Sequence, residues 1–80
     1  MACETMPESV TIDVRGLKCP LPVLKAERRM RDFSAGTHFI LLATDPMAAI
    51  DVPHFCGENG HRLIATHRDG NLLRFEIEKK

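Results

Sequence analysis

The chain has 80 residues, which is the length of one small domain. Its eleven Lys and Arg residues balance eleven Asp and Glu residues, so the overall charge favours neither nucleic-acid nor membrane binding. Hydrophobic residues make up 44% of the chain, which excludes a disordered tail. The longest apolar run, at residues 39–43, is far shorter than the ~20 residues that span a bilayer. Because the N-terminus also lacks a signal-peptide pattern, we expect a cytoplasmic protein.

The first half of the chain predicts a strand, a helix and a second strand. Residues 10–14 alternate between apolar and polar side chains, which is the period of a half-buried strand. Apolar residues then recur every three or four positions from Val23 to Phe33, so we expect an amphipathic helix that ends before Gly36. The dense apolar segment 38–44 predicts the second strand.

The second half predicts a broken helix and a β-hairpin. Asp45 is expected to cap the helix, with Pro46 at the first helical position. Pro53 removes a hydrogen bond from this helix, so we expect a break near Asp51. The Asp-Gly pair at 69–70 separates two alternating segments and predicts the turn of a hairpin.

These elements follow the order β-α-β-α-β-β. We expect an α+β two-layer sandwich, in which a four-stranded sheet packs both helices on one face. Residues 1–80 then form a single domain, and residues 1–8 a loose N-terminal tail.

The three cysteines are an odd number and include no Cys-x-x-Cys pair, so we expect reduced thiols rather than disulfides. Cys3 lies in the tail and is assigned no role. Cys56 has no basic neighbour in the sequence and is expected to be a packed core thiol. Cys19 differs from both, because it directly precedes the predicted first helix.

Cys19 is therefore the candidate nucleophile. It is expected at the N-cap of the first helix, where the helix N-terminus has a partial positive charge. Lys18 and Arg15 add positive charge from the loop. These effects predict a lowered pKa for Cys19 and a thiolate that attacks electrophilic sulfur at neutral pH.

The residues after Cys19 define the rest of the predicted site. Pro20 and Pro22 fix the first helical turn, and the amides of Leu21 and Val23 are the expected donors to a sulfur anion. A dithiol oxidoreductase has a second cysteine where this chain has Pro22. A species formed on Cys19 must therefore pass to another molecule, which is how a carrier works.

The segment 15–31 contains six basic residues and one acidic residue. We expect Arg28 and Arg29 to belong to a docking surface for an acidic protein partner, although a merely solvated helix face stays open. Direct nucleic-acid binding is not expected, because the segment has no aromatic side chains for base stacking.

No metal ion and no cofactor are expected. His54, Cys56 and His61 are the nearest approach to a ligand set, and they match no recognised zinc spacing.

The run Gly16-Leu17-Lys18-Cys19-Pro20-Leu21-Pro22 resembles the Cys-Pro-x-Pro motif of the TusA family, also called the SirA-like sulfurtransferases. Segments 45–46, 51–56 and 60–63 resemble later parts of the same family, so the resemblance covers residues 8–80. It implies a mixed sheet and a fold similar to the C-terminal domain of bacterial translation initiation factor three. Gly16 belongs to the structural part of this motif, together with Pro20 and Pro22.

The resemblance also implies a function. Cys19 would accept sulfane sulfur as a persulfide from a cysteine desulfurase or a rhodanese-type protein, and pass it to an acceptor protein. This is a sulfurtransferase acting as a stoichiometric relay, in tRNA thiolation, molybdenum-cofactor synthesis or sulfur metabolism. A transient carrier of this kind is expected to be a monomer.

Two other functions stay open at this point. The basic first helix is also compatible with a non-catalytic regulatory module that binds RNA or protein. A redox sensor or metal chaperone that uses Cys19 and Cys56 requires their sulfur atoms to lie within disulfide reach.

Overall fold

The computed structural model describes residues 9–80, and the predicted tail at residues 1–8 lies outside the described residues. The predicted order of elements is confirmed. No helix within residues 9–80 has the length and apolarity needed to cross a membrane. The elements are β1 (Val10–Asp13), α1 (Leu21–Met30), β2 (His38–Ala43), α2 (Ala48–Asn59), β3 (Arg62–Asp69) and β4 (Leu72–Glu78).

The four strands form one mixed sheet in the order β1-β2-β4-β3. β1 and β2 are parallel, and α1 connects them, as a parallel pair requires a crossover. β4 is antiparallel to both β2 and β3. α1 contacts α2, and α2 also contacts β3 and β4, which gives the expected two-layer α+β sandwich.

The core lies between the helices and one face of the sheet. Every second residue of β2 and β4 is buried, because successive side chains of a strand point to opposite faces. No polar or charged residue within residues 9–80 is buried. The largest fully buried side chains are Phe39, Phe75, Met30, Leu41, Ile77, Val14 and Val52.

The break predicted in the second helix is wrong. α2 runs without interruption from Ala48 to Asn59, with Pro53 inside it. Pro53 and Ala49 are both exposed, so the carbonyl that lacks its hydrogen bond faces water. Val52 and Phe55 are buried on the opposite side of the helix and hold it against the sheet.

Other element boundaries differ from the predictions by a few residues. α1 ends at Met30, so Phe33 lies in the following turn, where its ring packs edge-on against Phe39 at 5.3 Å between centroids. The hairpin turn is formed by Gly70 and Asn71, because Asp69 still pairs with Leu72. Gly70 has a φ of 61°, which favours glycine at this position.

Candidate functional site

Cys19 is exposed in the loop between β1 and α1. Two backbone N–H groups at the start of this loop donate hydrogen bonds to residues at the end of β2. The N–H of Val14 donates to the carbonyl of Leu42 at 2.8 Å, and the N–H of Gly16 donates to Oγ1 of Thr44 at 2.9 Å. Gly16 has a φ of 83°, a conformation that favours glycine. The loop is thus anchored at the sheet edge where β1 and β2 both end.

A single carboxylate connects the Cys19 loop to the start of α2. Oδ2 of Asp45 accepts the N–H of Cys19 at 2.6 Å, and Oδ1 accepts the N–H of Met47 at 3.1 Å. Met47, rather than Asp45, is the N-cap of α2. Asp45 therefore caps the turn that precedes the helix and positions Cys19 at the same time, a role that sequence reasoning missed.

The start of α1 differs from the prediction. Pro20 is the N-cap, so Cys19 lies one residue further upstream, and the peptide bond between them is cis. The N–H of Leu21 donates to the carbonyl of Lys18 at 2.8 Å and is not available to a sulfur anion. The N–H of Val23 has no acceptor within residues 9–80. Of the two predicted amide donors, only that of Val23 remains unpaired in the described part of the chain.

The two predicted cations do not face Cys19. Arg15 donates from Nε and Nη2 to the carboxylate of Asp13, at 2.9 and 2.8 Å. These hydrogen bonds lower the pKa of Asp13 to about 2. Lys18 lines a separate depression with Thr44, and Cys19 does not line that depression.

Cys19 instead opens into a groove of about 280 Å³ between α1 and α2, which we name the Cys19 groove. Its apolar wall includes Val23 and Phe55. Its acidic residues are Glu27 from α1 and Asp51 and Glu58 from α2, and His54 of α2 also lines it. The surroundings of the thiol are therefore acidic rather than basic.

The prediction of a lowered pKa for Cys19 is wrong. The neighbouring Asp51 carboxylate is the main cause that raises the pKa of Cys19, and some desolvation of the thiol and the negative charges of Asp51 and Asp45 add to the shift. Arg15 and Lys18 are not among the causes of this shift. The surroundings of Cys19 therefore disfavour its thiolate form.

Cys56 is the packed core thiol that the sequence predicts. It is only 2% exposed, and it forms no disulfide within residues 9–80. Burial raises the pKa of Cys56 to about 11, which makes it unreactive at neutral pH. His54 pairs with Glu58 at 3.3 Å, and Nδ1 of His61 accepts the N–H of Lys80 at 3.1 Å. Within residues 9–80, no three His, Cys, Asp or Glu side chains are grouped to hold a metal ion.

The predicted docking residues Arg28 and Arg29 lie in different surroundings. The guanidinium of Arg29 stacks over the ring of Phe33 at 5.6 Å from its centroid. Arg28 lines a second groove of about 320 Å³, in which Leu21 and Leu24 are 50% and 47% exposed. We name this the apolar-basic groove; it is lined by Leu17, Leu21, Leu24, Lys25 and Arg28.

The chain is similar to a solved SirA-like protein from Desulfitobacterium hafniense. The two structures superpose with a TM-score of 0.76 over 86% of this chain and 95% of the other. Their sequences are 21% identical, so this likeness concerns the fold.

Sequence relatives cover nearly the whole chain. It is 36% identical over 74 residues to the sulfur carrier protein TusA of Pseudomonas putida (strain GB-1), covering 92% of this chain and 91% of the relative. It is 34% identical over 76 residues to TusA of Pseudomonas paraeruginosa, covering 95% of this chain and 96% of the relative. YrkF of Bacillus subtilis is longer: 32% identity over 74 residues covers 92% of this chain and 40% of YrkF. The family model described as Sulfurtransferase TusA matches residues 10–79, and the chain therefore belongs to the TusA family.

Proposed function

We propose that this protein relays sulfur between proteins as a persulfide on Cys19. The observation that supports this best is the contrast between its thiols: Cys19 is exposed beside an open groove, whereas Cys56 is buried. The position three residues after Cys19 is Pro22, so no neighbouring thiol can release the sulfur by closing a local disulfide. Relatives named sulfur carriers support the same assignment.

The proposed reaction is an exchange between sulfur atoms. Sγ of Cys19, after losing its proton, attacks the terminal sulfur of a persulfide on the donor protein. A new S–S bond forms on Cys19, the donor's S–S bond breaks, and its electron pair leaves on the donor's cysteine sulfur. No net oxidation occurs. Val23 lines the same groove as Cys19, and its unpaired N–H is the donor that we propose for the transferred sulfur.

The partners we propose are a cysteine desulfurase or a rhodanese-type donor, and an acceptor protein downstream. The cytoplasm suits this exchange, because a reducing compartment keeps Cys19 free. A monomer leaves the loop accessible to both partners. Transfer of sulfur towards tRNA thiolation, the molybdenum cofactor or sulfur metabolism completes the proposal.

The experiment is to incubate the protein with a cysteine desulfurase and free cysteine, and to measure its intact mass. We expect the mass to rise by one sulfur atom, and the adduct to disappear on reduction. Cys19→Ser should abolish the adduct, whereas Cys56→Ser, which removes the buried thiol, should keep it. Loading of the Cys19→Ser variant, or a wild-type protein that no sulfur donor loads, would overturn the proposal.

We also propose that the apolar-basic groove docks the sulfur-exchanging partner. Exposed apolar side chains such as Leu21 and Leu24 are typical of interaction surfaces, and Leu21 is only two residues from Cys19. Arg28 and Lys25 add positive charge, which complements an apolar partner surface with an acidic rim. Arg29 lies outside this groove, so its predicted docking role receives less support than that of Arg28.

Arg28→Glu is expected to slow sulfur loading by the donor protein about three- to tenfold, because it reverses a charge that steers association. The effect should shrink at high salt. Arg68→Glu makes the same change of charge on β3 and serves as the control. An equal decrease of the loading rate in both variants would mean that the net charge of the protein, and not the groove, governs docking.

A further inference from the structure

Five large hydrophobic side chains are exposed within residues 9–80, and four of them lie at the starts of the two helices beside Cys19. Leu21 and Leu24 belong to α1 and line the apolar-basic groove. Met47 and Ile50 lie at the start of α2, where Ile50 is 65% exposed. We name Met47 and Ile50 the α2 apolar pair. The apolar-basic groove does not include this pair, so its exposure has no role so far.

The α2 apolar pair borders the site of the reactive cysteine. The carboxylate of Asp45 accepts the N–H of Cys19 at 2.6 Å and the N–H of Met47 at 3.1 Å, so one side chain bridges the backbones of Cys19 and Met47. Residues four apart on a helix are neighbours on its surface, so Ile50 lies next to His54. His54 lines the Cys19 groove. The α2 apolar pair therefore forms part of the rim of this groove.

The size of a protein interface places both helix starts under the same partner. A stable interface buries about 800 Å² on each protein, which is a patch roughly 30 Å across. Helices that pack together lie only about 8–10 Å apart, and α1 contacts α2. An interface centred on Cys19 therefore extends over Leu21 and Leu24 on one side and over the α2 apolar pair on the other.

The two sides of this surface carry opposite charges. Arg28 lines the apolar-basic groove on α1, and Asp51 lines the Cys19 groove on α2. Neither side chain forms an ion pair with another residue of the described part of the chain. Both charges are therefore available to a partner, which would need an acidic group over α1 and a basic group over α2.

We propose that the α2 apolar pair is the second half of the docking surface for the sulfur donor, which covers it with an apolar segment that carries a lysine or arginine. This inference rests on the proposed function and specifies the chemistry of the partner on both sides of Cys19. It also sets the orientation of docking. In the reversed orientation like charges would face each other at Arg28 and at Asp51, which disfavours that complex.

The test measures binding without sulfur transfer. Isothermal titration calorimetry gives the dissociation constants of a cysteine desulfurase and of a rhodanese-type donor for the Cys19→Ser protein, which cannot be loaded. Adding Met47→Ser and Ile50→Ser together should weaken binding of the donor about tenfold, because two apolar side chains no longer become buried in the complex. Circular dichroism checks the fold of each variant.

Ile64→Ser is the matched control for the apolar pair. Ile64 is the fifth exposed side chain, at 44%, and lies in β3, which is the strand of the sheet farthest from β1. It should change the dissociation constant by less than about twofold, as surface substitutions outside an interface do. Unchanged binding after replacement of the α2 apolar pair, or equal weakening in Ile64→Ser, would overturn the docking surface.

The charge of the partner is tested in the same Cys19→Ser protein. Asp51→Lys should weaken donor binding about three- to tenfold at low salt, because a basic partner group then faces a like charge. Asp32→Lys makes the same change in the turn after α1, at the other end of this helix from Cys19, and should have a smaller effect. Equal effects, or tighter binding in Asp51→Lys, would overturn the basic partner group.

The remaining outcomes separate this inference from the proposed function. Absence of binding to both donors would overturn the docking surface. Self-association of the carrier, seen by analytical ultracentrifugation and abolished by Met47→Ser with Ile50→Ser, would assign the pair to a second copy of the chain and overturn it as well. A wild-type carrier that binds a donor through the α2 apolar pair but takes up no sulfur would contradict the relay and support the docking surface.

Discussion

Phe75→Ala is expected to lower the free energy of unfolding by about 3–5 kcal/mol, because it removes a large buried ring and leaves a cavity. Phe75 is 0% exposed and lies in β4, which pairs with β2 on one side and β3 on the other. It stands opposite Leu41 in β2 and Thr66 in β3. The total free energy of unfolding of a small domain is only about 5–15 kcal/mol, so this variant loses a large share of its stability.

Urea denaturation followed by circular dichroism measures this effect. Arg74→Ala is the matched control, because Arg74 is the preceding residue of β4 and is exposed on the opposite face. Its ion pair with Glu76, at 3.6 Å, lies at the surface and should contribute less than about 0.5 kcal/mol. A loss in Phe75→Ala no larger than in Arg74→Ala would contradict the assignment of Phe75 to the core.

The strands could be predicted because their side-chain alternation directly reports which face is buried. Leu73, Phe75 and Ile77 alternate with charged residues, and all three are buried. Pro53 shows where such reasoning fails. A local rule predicts a break there, but whether a helix tolerates a proline depends on which side of it faces water and on what holds the other side. Those facts depend on tertiary packing, which the local sequence does not contain.

The candidate site shows the same division. The loop position of Cys19 follows from local signals: a strand, a glycine and two prolines. The charges around the thiol do not follow from local signals, because a charged side chain close to Cys19 in sequence can point away from it and pair with another residue. Arg15 pairs with Asp13, whereas Asp51, 32 positions further along the chain, lines the same groove as Cys19 through the packing of α1 against α2. The Asp-Pro pair at 45–46 was the available signal for the second carboxylate, and it pointed only to a helix cap.

Asp45→Ala is expected to have opposite effects on two reactions of Cys19. It removes the acceptor of the Cys19 N–H at 2.6 Å and of the Met47 N–H at 3.1 Å, and so releases the loop from the start of α2. Displacement of a reacting atom by about 1 Å can cost about 100-fold in rate, so loading by a donor protein should fall by about 10- to 100-fold. The same change removes a negative charge that raises the pKa of Cys19, so alkylation by iodoacetamide should become faster.

This opposition separates positioning from reactivity. If Asp45 acted only through its charge, both reactions would accelerate in Asp45→Ala; if the variant unfolded, alkylation would extend to Cys56, which is buried in the native protein. Asp45→Asn removes the charge but keeps one side-chain acceptor, so it should retain more loading activity than Asp45→Ala. Peptide-resolved alkylation and desulfurase-driven loading, measured on the same samples, give both rates. Faster alkylation with slower loading would show that the carrier depends on where its sulfur is held as well as on how readily that sulfur ionises.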